Sequence, residues 1–166
     1  MTGTAMQIIQ WLTKQKDGQV WEIKRHYEKR SLTQNSLYWK LIGLMADEMR
    51  LPKPEVHNKM LRAYGQVQGI DGRLITVTIP DTEKAEKQTL LAESYHVKPT
   101  SQVKLGTKNQ LFRTYVLLKG SHELTTEEFS VLLDGTIREA QSIGIETITP
   151  LELEAMRAYE VNHQRK

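Results

Sequence analysis

The chain has 166 residues, 39% of them hydrophobic and 26% charged, with a formal net charge of +3. That length fits one domain able to bury a core, and the composition is ordinary for a soluble globular protein. No run approaches the roughly 18 apolar residues of a membrane span, "MTGTAMQIIQWLTKQKD" carries no expected secretory signal, and the lack of cysteine excludes disulfides and thiolate-held zinc.

Met6, Ile9 and Leu12 recur at helical spacing, which predicts a short helix over 5–15 ended by Asp17-Gly18. Residues 19–29 alternate, with Trp21, Ile23, Arg25 and Tyr27 on one face, and read as a half-buried strand. A helix over 32–49 follows, its apolar stripe formed by Leu37, Tyr38, Leu41, Ile42, Met45 and Met49. Ser31 and Gln34 fit a capping box at its start. Pro54 suits the first turn of the next helix, and Gly65 closes it. Asp71-Gly72 lies between apolar runs and predicts a two-residue hairpin turn.

Asp81 is the expected cap of a helix reaching about Tyr95. Residues 98–113 read as a basic, mobile hairpin tip carrying Lys98, Lys104, Lys108 and Arg113, or as a solvated loop. "QLFRTYVLLKG" is apolar enough for a strand inside a sheet. Thr125 and Glu128 form a capping box, Leu124 and Phe129 a hydrophobic staple, and the helix runs to about Ser142 before Gly144. Thr149, Pro150 and Glu152 repeat the capping pattern for a last helix. The expected fold is α+β: one domain over residues 1–166, with a small antiparallel sheet and about five helices.

Charge is unevenly spread. Residues 14–62 hold eleven Lys/Arg and six Asp/Glu, whereas 121–163 hold two Arg and nine Asp/Glu. Five of the eleven aromatic residues, Trp11, Trp21, Tyr27, Tyr38 and Trp39, share the basic end. Single-stranded nucleic acid needs that pairing, since cations track phosphates and rings stack unpaired bases. Core packing explains some of the same rings. The histidines at 26, 57, 96, 122 and 163 show no metal-ligand spacing, and no Walker A glycine loop occurs. Asp81, Glu83 and Glu86 are the nearest thing to a carboxylate metal set, although acids also favour a helix start for its dipole. No catalytic group, metal or cofactor is assigned.

The stretch "KRSLTQNSLYWKL", residues 29–41, concentrates the signal. Trp39 lies roughly 120° from the centre of the apolar stripe, and Asn35 is one turn below it on the same flank. The pattern Arg30-Ser31-Leu32-x-Gln34-Asn35-x-x-x-Trp39 resembles the signature of the NinB/Orf recombination-mediator family of lambdoid phages. The segment from Thr125 to Tyr159 is similar to that family's C-terminal helix pair. The two matches cover roughly residues 19–50 and 124–160, and the middle looks more like early-region proteins of phages of Gram-positive bacteria.

The resemblance implies a non-enzymatic homodimer in the host bacterial cytoplasm. It would bind single-stranded DNA and help a recombinase load on strands covered by single-strand-binding protein. On that reading Lys24, Arg25, Lys29, Arg30 and Lys40 hold phosphates, Trp39 stacks a base and Asn35 hydrogen-bonds the strand. Gln34 orients the helix start, and Lys104 and Lys108 form a second basic surface. The apolar stripes of the last two helices are expected to close around a two-fold axis. Two other classes stay open: a small metal-dependent nuclease, and a module that grips a host replication protein through its acidic helices.

Overall fold

Local caps and apolar stripes set the helices of this α+β fold. The computed structural model describes residues 4–15, 32–149, 152–155 and 157–158. The strand expected over 19–29 lies outside the described residues, as do Lys24, Arg25, Lys29, Arg30 and Ser31. Helix α1 (Ala5–Leu12) starts in a capping box, in which Thr4 accepts from the Gln7 backbone N–H and Gln7 reaches back to the Thr4 N–H. Met6 and Ile9, whose spacing marks this helix, face solvent.

Helix α2 (Leu32–Met49) buries Tyr38, Leu41, Ile42 and Met45 as its stripe predicts, while Met49 is exposed. It ends in a Schellman motif. The N–H of Leu51 bonds to the Ala46 carbonyl at 3.0 Å and that of Arg50 to the Asp47 carbonyl at 3.3 Å. Arg50 takes the left-handed conformation there, at φ 53°, where glycine is the usual residue. Helix α3 (Lys53–Tyr64) carries Pro54 in its first turn and ends at Gly65, as expected.

The Asp71-Gly72 turn is also as expected. It joins β1 (Gly69–Ile70) to β2 (Arg73–Leu74), both turn residues having positive φ as a type I′ turn requires. This hairpin interrupts an edge strand. Gln68 bonds to Leu117 before it and Ile75 bonds to Leu117 after it, where β3 (Thr76–Pro80) begins.

The next helix departs from expectation. Helix α4 is Glu83–Leu91, shorter than the predicted run to Tyr95, and its cap is Thr82 rather than Asp81. The Asp81 carboxylate is instead taken by Arg113, with bonds of 2.9 and 3.0 Å. Strand β4 (His96–Leu105), a short 3₁₀ turn (Thr107–Asn109) and β5 (Leu111–Leu118) form a hairpin where a basic tip was expected. The tip is only its last few residues. Strand β5 lies in the middle of a three-stranded antiparallel sheet of order β3-β5-β4, as its apolar sequence predicts.

Helix α5 (Thr126–Ser142) has the expected capping box between Thr125 and Glu128, and it stops in a second Schellman motif with Gly144 at φ 84°. Leu124 and Phe129 are both buried, as a staple requires. Thr149 and Glu152 exchange the capping bonds expected of the last helical segment. The core lies among α2, α3 and α5, with Leu118 entering from the sheet. Phe129, Leu132, Leu133, Ile137 and Ala140 are all buried there within the chain, so the α5 stripe does not call for a two-fold partner. Among the described residues, no helix is long and apolar enough to cross a membrane.

Candidate nucleic-acid interface

Two turns of α2 build the first wall of a cleft. Tyr38 points inward and is fully buried, its ring edge-on to Phe129 at 5.5 Å. The next residue, Trp39, falls on the flank and stays 42% exposed. Its ring lies 4.8 Å from the His57 ring at an angle of 31°. Trp39 is thus both things the sequence left open: it packs on a neighbouring helix, and it keeps part of its ring in solvent. Asn35 is half-buried one turn below, Lys40 is exposed, and Gln34 is buried with its side chain away from solvent.

Helix α3 supplies the second wall. His57 is buried, and its Nδ1 lies 2.7 Å from the Tyr38 hydroxyl. Burial, then the neighbouring His96, pulls the His57 imidazole down to about 4. Burial likewise pushes the Tyr38 phenol far up. Asn58 is 1% exposed and ties three elements together. The two N–H of its amide are shared among the carbonyls of Pro54, Leu90 and Ala92, and its oxygen faces His96 Nδ1 at 2.7 Å. Read from the sequence alone, His57-Asn58 within a predicted helix is a structural or exposed pair. A polar amide in a helix interior was the available signal, but three of its four partners, Leu90, Ala92 and His96, lie more than 30 residues away.

The cleft has a volume of about 500 Å³ and is lined by Trp39, Lys53, His57, Glu93, His96 and His122 among others. His96 leads out of it along the edge strand. Register pairs His96 with Leu118, Lys98 with Val116 and Lys104 with Phe112, which sets His96, Lys98 and Lys104 on one face of the sheet. Lys98 and Lys104 are exposed, and Lys108 is exposed in the tip beyond them. A bulge between Pro99 and Val103 interrupts the row. From His96 to Lys104 the row lies opposite Leu118 to Phe112 of β5, so it spans about 20 Å at roughly 3.3 Å per residue.

Other basic residues are drawn inward. Arg113, expected in the basic tip, is bound to Asp81 and to the Thr100 carbonyl. Arg62 bonds to Glu86, Thr89 and the Val97 carbonyl. Burial would raise the Glu86 carboxyl, but hydrogen bonds from Tyr115 and Arg62 hold it below its usual value. Two of the three carboxylates that could mimic a metal set are thus already paired with arginine. Among the described residues, no group of three or more His, Cys, Asp or Glu side chains is arranged to hold a metal.

Comparison with known proteins gave no matching family model, no matching curated protein and no matching solved structure.

Proposed function

We propose that this chain binds single-stranded DNA without cutting it, as a recombination mediator of a phage or prophage acting in the bacterial cytoplasm. The observation that carries this reading is the half-exposed Trp39 ring at the mouth of a cleft from which Lys98 and Lys104 continue along one sheet face. An exposed ring gives a base its stacking surface, and a row of ammonium groups follows the phosphates. Stacking does not depend on base identity, so affinity with little sequence preference is the expected behaviour. Lys40 extends the positive surface beside Trp39. The resemblance of residues 30–39 to the mediator signature supports the same reading and supplies its partners: a recombinase, single-strand-binding protein and a second copy of the chain. With α5 packed inside the chain, dimerisation rests on that resemblance alone.

Fluorescence anisotropy with labelled single-stranded and duplex oligonucleotides over a salt series tests it. With about three to five phosphates engaged, log K should fall by about 2 to 3.5 per decade of salt, since each phosphate contact on a single strand contributes roughly 0.7. Affinity that stays flat from low to moderate salt would remove the electrostatic half of the proposal. Preference for duplex would remove the stacking half.

A further inference from the structure

The cleft beside Trp39 holds more imidazole than a stacking site needs. His57, His96 and His122 all line it. The His57 and His96 rings meet edge to face at 5.1 Å. His57 is committed, since its Nδ1 is held by Tyr38 and its ring backs Trp39. His96 is fixed differently. The Asn58 amide nitrogen is pinned as a donor by three carbonyls, so the Asn58 oxygen must accept from His96 Nδ1–H. His96 Nε2 therefore keeps a lone pair, where a proton can add. His122 is exposed on the loop before α5, close enough to His96 for the two charges to oppose each other.

The remaining charges decide what the cleft attracts. Lys53 at the start of α3 and Glu93 after α4 line it and cancel. Burial, then His122, holds His96 below the usual imidazole range, and Glu123, next to His122, offsets part of that. The Tyr38 phenol stays neutral. With neutral imidazoles the cleft carries no net positive charge, and a proton added to His96 makes it an anion site. A phosphate placed there would supply the missing counter-charge.

We propose that the cleft takes one nucleotide unit of a DNA strand, with its base on Trp39 and its phosphate against Lys53 and His96, and that binding draws a proton onto His96. This rests on the single-strand reading above and adds to it a pH-dependent grip. A strand would be held more tightly in mildly acidic solution, with no change in the number of lysine contacts.

Isothermal titration calorimetry of the full chain with a short oligothymidylate tests it, at about pH 6 and about pH 7.5, in buffers of different ionisation enthalpy. Expected are an affinity about tenfold higher at the lower pH and uptake of about one proton on binding. His96→Gln should abolish the uptake and the pH dependence, His122→Gln, which removes an opposing charge at an exposed position, should keep the uptake, and Lys53→Gln should weaken binding at both pH values. Binding with no proton uptake and no pH dependence overturns the inference and leaves single-strand binding intact. If the oligonucleotide does not bind, thymidine monophosphate is the second probe. Its pH-dependent binding, lost in His96→Gln, would support the cleft while ending the strand-binding reading. No binding of either probe overturns both.

Discussion

Where α2, α3 and α5 meet, the buried contacts are mostly apolar; where α4 meets the sheet, they are largely polar. Tyr38, Leu41, Ile42, Val56, Leu61, Phe129, Leu132 and Leu133 are each at most 2% exposed in the first region. In the second, Arg62, Glu86, Thr89 and Tyr115 form one hydrogen-bonded cluster, and Arg113 joins Asp81 to the bulge of β4. Apolar packing is indifferent to pH and salt, whereas the polar latch and the histidine seam between the regions respond to both. The candidate interface lies at that seam, where a helical wall holds Trp39 and the sheet carries the lysines.

The largest effect should come from breaking the apolar side. Phe129→Ala removes a fully buried ring that touches Tyr38 and should cost about 3–5 kcal/mol in a denaturant titration. A loss well under that range would mean that the helical core is not what holds the fold.

Acid should act next, and on the seam. His57 is lowered from 6.5 to about 4, so folding favours its neutral form. Its contribution is complete above pH 6.5 and is lost as pH falls toward 4. At roughly 1.4 kcal/mol per unit, about 3 kcal/mol should disappear across that window. His96, also lowered by burial first, adds in the same direction. His57→Gln should shrink the loss above pH 4.5 to the part that His96 contributes, leaving the fall at lower pH that comes from carboxylates held below their usual value, Glu86 and Glu128. A wild-type curve already flat from pH 6.5 to 4.5 would contradict the buried neutral imidazole.

Arg62→Met sharpens the comparison at smaller cost. It removes bonds to Glu86, Thr89 and Val97, yet Glu86 is partly solvated, so about 2 kcal/mol is expected rather than a full buried-pair penalty. Hydrogen exchange should quicken in β3, β4 and α4 before it quickens in α2 and α5. Uniform acceleration would mean that the two regions unfold as one.

The apolar region was legible in the sequence because each helix carries its own instructions. The Thr125-Glu128 box, the Leu124–Phe129 staple and the stripe from Phe129 to Ala140 are all local, and they mark α5 from its first to its last residue. The sheet was only half legible. Strand β5 reads as an interior strand, but β4 carries Pro99 and a bulge that shifts its alternation. Proline is tolerated there because β4 is an edge strand, which cannot be known before the pairing is. Asp81 resembled a cap because its partner, Arg113, lies 32 residues away. The cleft was missed for the same reason: Trp39, His57, His96 and His122 come together only once β4 docks beside α3. The basic count over 14–62 also overstated the accessible charge, since Arg62 turns inward and Lys59 pairs with Glu55 at 2.9 Å.

Trp39→Ala, followed in parallel by thermal melting and by anisotropy with a single-stranded oligonucleotide, tests strand binding at the cleft most directly. The ring is 42% exposed, so the melting transition should move little. Affinity should fall by about 1–3 kcal/mol, the usual contribution of one stacked base, and Trp39→Phe should recover part of it. A large drop in melting temperature with Trp39→Phe retaining full affinity would contradict it, and would make Trp39 a packing residue for His57.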